Sequence, residues 1–365
     1  MNAPFILAAG GTGGHLFPAQ ALAGELMRRG RRVVVMTDAR GHNYGSAFPG
    51  AEIATVPSAT FANRGALGRL AAFGVILLGV LAAWRKLLNL RPRAVVGFGG
   101  YPSLPVMIAA SIARIPAALH EQNAVLGRVN RLLAPRVTRI AASFPFARFA
   151  PKDSRRVVFT GNPVRPEAAA LRSAPYGPPL PGGPIQLLIF GGSQGARALS
   201  ELVPAALIRL PQALRERMAI VQQARTEDID MVEAAYRAAG LKAEVAKFFS
   251  DLPRRMADAH LVIARSGAST LSELTVIGRP AILVPYPFAM DDHQAANAAV
   301  LEKAGAAWVV PQSALNPERL AELLTEIFRS PEMLGARAAA AKALGHADAA
   351  ERLADLAENL AEGRP

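Results

Sequence analysis

The sequence predicts an α/β protein of two Rossmann-like domains, whose parallel sheets face each other across a cleft. Apolar strand-like runs alternate with helical stretches along most of the chain, a pattern typical of parallel sheets that are covered on both faces. A glycine-rich loop follows such a run at residue 10, and a second one follows at residue 191. The 365 residues are enough for two domains of ordinary size.

The first glycine loop, GGTGGHLFP at residues 10–18, joins an apolar run at 5–9 to an alanine- and leucine-rich helical stretch at 18–29. A strand, a glycine loop and a helix in this order aim backbone N–H groups and the positive end of a helix dipole at an anion. His15 adds a side chain that can move a proton near neutral pH. Leu16 replaces the third glycine of a dinucleotide fingerprint, and the lysine of a P-loop is missing. The loop predicts a phosphate site, with a plain strand-to-helix turn as the alternative.

An apolar run at residues 70–84 follows a strand at 33–37 and a long polar stretch that reaches Ala66. Its uncharged core of roughly 15 residues is shorter than the about 20 residues that a membrane-spanning helix needs. Arginine and lysine residues stand at both ends of the run. It is therefore either a helix buried in the core or a helix that dips into a bilayer surface, with Trp84 at the interface and the cations on lipid phosphates.

Other strand ends in the first half carry glycine or polar residues. GGYPS at 99–103 follows a strand at 94–98, and HEQN at 120–123 follows a strand at 116–119. GNPVRP at 161–166 comes after strands at 137–142 and 157–160. Ligands of open parallel sheets gather at the carboxyl ends of the strands, so these residues predict a site. A solvated loop with a helix cap is the alternative for 120–123.

The stretch up to residue 184 is rich in proline and glycine and is predicted to link the two domains. Beyond it, strands are predicted at 185–190, 217–222, 243–247, 260–264 and 281–285, and the chain from 316 onward is helical. GGSQGAR at 191–197 and RSGASTLSE at 265–273 repeat the strand, turn and helix pattern. Ser269 or Thr270 is expected to cap the second of these helices, and Glu273 lies near its first turn.

Composition narrows the function classes. Hydrophobic residues make up 51 % of the chain and charged residues 19 %, which fits a folded globular protein. The absence of cysteine excludes disulfides, thiolate metal sites and cysteine nucleophiles.

The net charge of +13 indicates nucleic acid or an anionic membrane as a partner, and no nucleic-acid-binding motif is present. No signal peptide is visible, so a cytoplasmic location is expected. Helix dipoles and solvated helix faces explain the acidic pairs Asp228/Asp230 and Asp291/Asp292 better than metal binding does.

Seven motifs in order resemble the bacterial peptidoglycan N-acetylglucosaminyltransferases that make lipid II, the MurG family of the glycosyltransferase-B class. The resemblance implies an inverting transfer of N-acetylglucosamine from UDP-N-acetylglucosamine to lipid I. The acceptor group is the C4 hydroxyl of undecaprenyl-pyrophosphoryl-N-acetylmuramyl-pentapeptide. It also implies that no metal or other cofactor is required. The motifs lie at 10–18, 97–103, 120–123, 161–165, 191–196, 265–273 and 292–297.

The resemblance also implies roles for individual residues. His15 is the expected general base, with Glu121 as its rival, and Glu273 is expected to hold the ribose diol of UDP. The expected contacts to UDP-N-acetylglucosamine are Thr12, Gly13, Gly14, Asn123, Arg165, Ser193, Phe249, Ala268, Ser269, Thr270, Glu273 and Gln294. The expected contacts to the acceptor pyrophosphate are Gly11, Gly14, Gly100, Tyr101 and Ser103.

Domain roles and a membrane surface follow from the same resemblance. Residues 1–163 are expected to bind the acceptor and the membrane, 164–184 to form a linker region, and 185–345 to bind the UDP-sugar. The last helix, in 346–365, is expected to pack back on the N-terminal domain. Members of this family act as peripheral proteins at the cytoplasmic face of the inner membrane, which makes anionic phospholipids and other cell-wall enzymes the expected partners and nucleic acid an unexpected one. The expected membrane patch is Phe73, Ile76, Leu77, Val80, Trp84, Arg85 and Lys86.

Three other functions stay open on the sequence alone. A related UDP-sugar transferase would act on another lipid or on a small-molecule acceptor. A protein that binds UDP-sugars without catalysis would keep the glycine loops, although the presence of His15, Glu121 and Glu273 disfavours it. A nicotinamide-dependent dehydrogenase is disfavoured by Leu16 in the first loop.

Overall fold

The computed structural model describes residues 3–10, 13–39, 48–60, 65–192 and 196–364. The expected ligand contacts at Gly11, Thr12 and Ser193 lie outside these residues. The chain divides into two compact units, which we call unit 1 (Met1–Val164 with Asp348–Pro365) and unit 2 (Arg165–Ala347). The stretch expected to be a linker therefore lies almost entirely in unit 2.

Unit 1 is built on a parallel sheet that has seven strands in the part of the chain that the structure describes. Their order across the sheet is β3-β2-β1-β4-β5-β6-β7, and Phe5 of β1 pairs with Val33 on one side and with Ala94 on the other. The strands are β1 (Phe5–Ala8), β2 (Val33–Thr37), β3 (Glu52–Thr55), β4 (Ala94–Gly97), β5 (Ala117–Glu121), β6 (Arg139–Ala142) and β7 (Val157–Phe159).

Helices cover both faces of this sheet, because alternate strand residues point to opposite sides. Ile6 and Val34 belong to the core on the side of the second, third and fourth helices, whereas Phe5 and Val33 belong to the core on the side of the first. The four helices are α1 (Gly13–Arg28), α2 (Ala66–Leu90), α3 (Gly100–Ile112) and α4 (Arg128–Leu133).

The long helix α2 packs closely on α3, and Gly79 makes this approach possible. A Cβ atom at Gly79 would lie 2.0 Å from the carbonyl oxygen of Pro57 and 3.2 Å from Cβ of Pro105. Any larger residue would push the helix away from its neighbours. One stripe of α2 is consequently buried at helical spacing, and its members are Ala72, Ile76, Val80, Ala83 and Leu87.

Unit 2 repeats the plan with a parallel sheet, in which residues 165–192 and 196–347 supply six strands in the order β10-β9-β8-β11-β12-β13. Its strands are β8 (Ile185–Phe190), β9 (Met218–Gln223), β10 (Lys242–Ala246), β11 (Leu261–Ala264), β12 (Ala281–Leu283) and β13 (Ala307–Val309). Its helices are α5 (Pro166–Ala170), α6 (Arg197–Ile208), α7 (Gln212–Arg215), α8 (Ile229–Ala238), α9 (Leu252–Asp258), α10 (Ala268–Ile277), α11 (His293–Lys303), α12 (Pro317–Arg329) and α13 (Pro331–Leu344).

The last helix, α14 (Ala349–Ala361), belongs to unit 1 and packs on α1. Its apolar face, which includes Leu353 and Leu360, is buried in the same core as Leu22 of α1. Ion pairs border this contact: the guanidinium of Arg29 lies 2.8 Å from Glu358 and also contacts Glu25. Apolar burial and ion pairing together attach the end of the chain to unit 1.

The predicted fold class, two α/β domains with parallel sheets, is confirmed. The predicted strands are present with ends that differ by a few residues, and α1 begins at Gly13 instead of residue 18. Two strands, β3 and β13, were missed. β3 mixes polar and apolar residues and is partly exposed, whereas β13 is apolar but has only three residues, too few to show a strand pattern.

Candidate functional site

The glycine turns lie where each sheet reverses its order. In unit 1 the chain leaves β1 toward one edge of the sheet and β4 toward the other, and in unit 2 β8 and β11 do the same. Ligands of such sheets bind outside the carboxyl ends of the strands at this switch point. The turns after β1 and β4, and those after β8 and β11, are therefore the candidate sites of the two units.

In unit 1 the switch point holds His15, on the first turn of α1. Its Nδ1 atom lies 2.8 Å from the carbonyl oxygen of Phe98 and 2.6 Å from the side-chain amide of Gln122. Gly99 and Gly100 have φ values of +82° and +71°, and a Cβ atom at either would lie 3.4 Å from the imidazole ring. The positive φ values favour glycine at both positions, and the imidazole ring lies directly against this turn.

A second histidine, His120, lies fully buried at the end of β5. Its ring centroid is 5.4 Å from that of Phe98, and its Nε2 lies 3.4 Å from the hydroxyl of Ser143. Burial lowers the pKa of His120 to about 4, opposed by a hydrogen bond to the backbone of Gly161 and assisted by the nearby charge of His15. His120 is therefore neutral at physiological pH.

Glu121, the rival candidate for the base, is occupied by its own loop. Its carboxylate accepts hydrogen bonds from the backbone N–H of Asn123 at 3.0 Å and of Gly127 at 2.8 Å, and from the side chain of Asn130 at 2.8 Å. Only 2 % of Glu121 is exposed. This geometry corrects the expectation that Glu121 competes for a substrate proton. It holds the turn 122–127 instead, and Asn123, whose side-chain amide also donates to Glu121, is part of that turn.

The glycine turn after β4 lies against the same ring, but one of its expected ligands points away from solvent. Ser103 is fully buried and its hydroxyl donates to the carbonyl oxygen of Gly100 at 2.9 Å. The hydroxyl of Ser103 is therefore used within the turn, and the expected contact of Ser103 to a pyrophosphate stays a prediction. Gly14, Gly100 and Tyr101 are half-buried at the N-terminal turns of α1 and α3, where backbone N–H groups have no intrahelical acceptor.

In unit 2 the structure brings Arg165 and Glu273 together. The guanidinium Nε and Nη2 donate to the two carboxylate oxygens at 2.7 and 2.8 Å, a bidentate ion pair. The hydrogen bonds to Glu273 hold the pKa of Arg165 above its usual value. Each carboxylate oxygen keeps a second lone pair, so Glu273 can still accept hydrogen bonds from a ligand.

The helix α10 starts at this site without a side-chain cap. Gly267 occupies the N-cap position and Ala268 the first helical position, so the expected capping by Ser269 or Thr270 is wrong. The hydroxyl oxygen of Ser269 is buried and has no hydrogen-bond partner in the described structure. The start of α10 therefore combines first-turn N–H groups with a polar side chain available to a ligand.

Arg265 is a buried arginine to which the sequence assigned no role. Its guanidinium connects several loops of unit 2 by hydrogen bonds. It donates to the carbonyl oxygens of Val284 and Pro285 at 3.0 and 3.2 Å and to Gln312 at 2.6 Å. Burial lowers the pKa of its guanidinium. In the sequence, Arg265 is recognisable as a charged residue directly after an apolar strand. A charge that is buried at such a position needs hydrogen-bond acceptors around it, such as backbone carbonyl oxygens.

Gln294 forms hydrogen bonds within the loops of unit 2, whereas Phe249 is buried against an arginine. The side-chain oxygen of Gln294 accepts from the N–H of Tyr286 at 3.0 Å, and its backbone carbonyl accepts from Ser266, so Gln294 holds the loop after β12. Phe249 is buried under the guanidinium of Arg255, which lies 4.3 Å from the ring centroid. Its side chain is enclosed, which fits the expectation of a contact through the backbone.

On unit 1, α2 exposes an apolar surface next to its buried stripe. Phe73, Leu77 and Trp84 are exposed as expected, with Arg85 exposed and Lys86 half-buried. Ile76 and Val80 are buried against the core, so their inclusion in the patch is corrected. By length and composition α2 could cross a membrane: its most apolar 18-residue window within Leu67–Leu90 has a mean hydropathy of 2.0, and 28 % of that window is buried. Five exposed leucines that were not predicted enlarge the surface: Leu67, Leu70, Leu78, Leu81 and Leu88.

Comparisons with known proteins agree over nearly the whole chain. The glycosyltransferase family 28 N-terminal domain matches residues 5–142, and the C-terminal domain of the same family matches residues 186–353. A relative from Methylobacterium nodulans is 57 % identical over 354 residues, covering 96 % of this chain and 95 % of its own. A relative from Rhodospirillum centenum is 52 % identical over 366 residues, which cover 99 % of this chain and 96 % of the relative.

Both relatives carry the name UDP-N-acetylglucosamine--N-acetylmuramyl-(pentapeptide) pyrophosphoryl-undecaprenol N-acetylglucosamine transferase. Among solved structures, the crystal structure of Acinetobacter baumannii MurG is similar with a TM-score of 0.80 and 30 % identity, covering 98 % of this chain and all of that one.

Proposed function

The chain belongs to glycosyltransferase family 28, and from this we propose that it transfers N-acetylglucosamine from UDP-N-acetylglucosamine to the lipid-linked N-acetylmuramyl-pentapeptide of peptidoglycan synthesis. The observation that carries the proposal is the 57 % identity, over 96 % of the chain, to a relative named for this reaction. The product is lipid II, made from lipid I with inversion at the anomeric carbon.

Unit 2 is the proposed donor site. Two acceptor oxygens on Glu273 suit the two adjacent hydroxyls of a ribose, and the bidentate contact with Arg165 fixes the orientation of that carboxylate. The N-terminal turn of α10, with Ser269, suits the diphosphate, because helix N-termini attract anions. Gln294, next in this set of loops, is the proposed contact to the sugar.

Unit 1 is the proposed acceptor site, with His15 as the base. Inverting transfer requires a group that takes the proton of the C4 hydroxyl while its oxygen attacks the anomeric carbon and UDP leaves. His15 lies at the switch point, and its Nδ1 contacts the carbonyl oxygen of Phe98, so we assign proton transfer to Nε2. Backbone N–H groups at the starts of α1 and α3 are the proposed ligands of the acceptor pyrophosphate.

We propose that the leaving UDP is stabilised without a metal ion. Negative charge develops on the β-phosphate as the glycosidic bond breaks, and preorganised donors at a helix N-terminus lower the energy of such a charge. The first turn of α10 supplies these donors, and Arg165 adds a positive charge nearby in the same unit. The chain's own residues therefore offer the electrostatic stabilisation that the reaction needs.

We propose that α2 attaches the enzyme to an anionic membrane surface, at the cytoplasmic face of the inner membrane. The buried stripe with Ile76 and Val80 packs on the protein core, so lipid cannot surround the helix. The exposed side presents Phe73, Leu77 and Trp84 with Arg85 beside them, a pattern that suits an interfacial helix. Apolar side chains would enter the headgroup region while the cations contact lipid phosphates.

The experiment that tests the function is a transfer assay with the purified full chain, labelled UDP-N-acetylglucosamine and a lipid I analogue. A labelled disaccharide product that depends on both substrates is expected. Failure to form it, with UDP-N-acetylglucosamine bound, would overturn the proposed acceptor. Competition with diacylglycerol or other acceptors distinguishes related sugar transferases.

A further inference from the structure

The hydrogen bonds around Nδ1 of His15 contain a conflict that can be resolved chemically. One imidazole nitrogen either carries a proton and donates or carries a lone pair and accepts. The carbonyl oxygen of Phe98, 2.8 Å away, can only accept. The amide nitrogen of Gln122, 2.6 Å away, can only donate. Nδ1 cannot satisfy both partners as they stand.

The conflict disappears when the side-chain amide of Gln122 is reversed. The nitrogen and oxygen of an amide have the same shape, and their assignment follows from the hydrogen-bond network. The carbonyl of Phe98 is a backbone group between β4 and α3, and its oxygen can only accept a hydrogen bond. A second observation agrees: Oε1 of Gln122 is buried and finds no hydrogen-bond donor where it stands. An oxygen near Nδ1 would accept a hydrogen bond, and the NH₂ group would take the buried position instead.

We propose that Gln122 is a positioning residue for His15, whose side-chain oxygen and the Phe98 carbonyl together hold the proton on Nδ1. The lone pair then resides on Nε2, the nitrogen that the proposed function uses as the base. The catalytic consequence rests on that proposed function, whereas the tautomer itself does not. Gln122 is well suited to this role because only 4 % of it is exposed and it extends directly from the end of β5.

The arrangement differs from one in which a carboxylate orients the imidazole. The neighbouring acid, Glu121, directs its oxygens to Gly127 and Asn130. His120, on the same strand, is buried and its pKa is lowered, so it adds no positive charge at neutral pH. Both groups that fix Nδ1 are neutral acceptors. The same Nδ1–H donates to them before and after proton transfer, and it donates more strongly once the imidazole is charged.

The proton balance of the step is complete. Nε2 takes the proton of the C4 hydroxyl while the hydroxyl oxygen forms the new bond to the anomeric carbon. The bond from that carbon to the β-phosphate oxygen breaks, and UDP leaves with the electron pair. The imidazolium keeps its Nδ1–H toward Phe98 and Gln122 and later releases the Nε2 proton to solvent.

The first test is nitrogen-15 NMR of the histidine side chains in the full chain near pH 7.5. The six histidines are assigned by single substitutions, and the His15 signal is the one lost in His15→Gln. The Nδ1–H tautomer is expected for His15. Finding Nε2–H as the dominant tautomer would overturn the inference, because Nδ1 would then accept from Gln122.

The second test uses the polarity of residue 122. Gln122→Glu keeps an acceptor and loses the donor, whereas Gln122→Met keeps the length and loses both. We expect Gln122→Glu to preserve the tautomer and to keep kcat within about threefold. We expect Gln122→Met to lower kcat about tenfold, with little change in KM for UDP-N-acetylglucosamine, since about one hydrogen bond is lost. A donor role would give the opposite result, with Gln122→Glu at least as impaired as Gln122→Met.

Exposed Gln212 on α7 provides the matched controls Gln212→Glu and Gln212→Met, which should match the unaltered chain. The two proposals can fail separately. An Nδ1–H tautomer in a chain that transfers no sugar would overturn the proposed function and leave this inference standing. Sugar transfer by a chain with His15 in the Nε2–H form would overturn this inference and leave the proposed function standing.

Discussion

The two units share one strand order around the switch point but place opposite kinds of chemistry there. In unit 1 the turns surround a histidine whose described Nδ1 contacts are the neutral groups of Phe98 and Gln122. In unit 2 the corresponding region carries the ion pair of Arg165 with Glu273 and the buried guanidinium of Arg265. A common backbone plan therefore supplies a place for a ligand, and the side chains decide what is bound and which unit moves a proton.

The outer helices of the units differ in a parallel way. In unit 2, α12 buries Leu320 and Leu324 and turns Glu318 and Arg319 outward, as an ordinary surface helix does. In unit 1, α2 buries one apolar stripe and exposes another. Exposed apolar surface on this scale indicates contact with a partner or a membrane, and it belongs to the same unit as the proposed acceptor site. The acceptor in the proposed reaction is itself a lipid.

The largest effect is expected from removing the base in unit 1. His15→Gln should lower kcat by about 10²- to 10⁴-fold, the range contributed by general base catalysis. Binding of UDP to unit 2, measured by calorimetry, should stay unchanged. Loss of UDP affinity together with kcat would contradict the division of roles between the units.

A smaller effect is expected from the matching change in unit 2. Glu273→Gln keeps the shape of the side chain but removes the charge that pairs with Arg165, so the affinity for UDP should fall about 10- to 100-fold, as for a lost hydrogen bond to a charged group. Titration with UDP and with uridine monophosphate measures it. Asp258→Asn, on α9 of the same unit, is the control and should bind UDP normally. Unchanged affinity in Glu273→Gln would exclude it from the donor site.

The third prediction contrasts the acid stability of the units. The pKa of His120 is about 4 in the folded chain and about 6.5 when unfolded, so below pH 6.5 the unfolded chain binds a proton that the folded one does not. The free energy of unfolding of unit 1 should fall by about 2 kcal/mol on this account between pH 7 and pH 5, and the full loss is reached only below the folded pKa of about 4.

Denaturant unfolding in a Trp308→Phe background, where Trp84 is the remaining tryptophan, reports on unit 1. His120→Gln should remove most of this loss. The same acid sensitivity in His120→Gln would mean that other groups cause it.

A further contrast lies within α2. Leu77→Glu with Trp84→Glu should weaken binding to vesicles of anionic phospholipid at least tenfold, because two apolar side chains no longer enter the interface. Activity on a soluble acceptor should remain. Ile76→Glu, one residue away on the buried stripe, should instead destabilise unit 1. Equal loss of soluble activity in the double variant would show that the exposed stripe is structural.

The smallest effect is expected from removing divalent ions. Treatment with a chelator should leave turnover within about twofold, because helix N-terminal donors and Arg165 supply the positive potential. Turnover that disappears with the chelator and returns with magnesium would contradict a metal-independent mechanism.

The sequence by itself determined the fold class and the positions of the glycine turns. A largely apolar run such as 185–190 that ends in a glycine turn is typical of a buried parallel strand, and the φ of +82° at residue 99 favours glycine. The same local signals missed β3, which mixes polar and apolar residues, and β13, which has only three residues.

Tertiary structure alone decided which polar side chains are available and which are already used. Glu121 and Ser103 have suitable chemistry in the sequence, yet the carboxylate of Glu121 and the hydroxyl of Ser103 form hydrogen bonds within their own loops. Arg165 and Glu273 are far apart along the chain and meet only after folding. Burial on α2 likewise separates Ile76 from Leu77, because packing against α3 selects one helical face. Hydrogen bonding and burial depend on neighbours brought together from distant parts of the chain, and no local pattern records them.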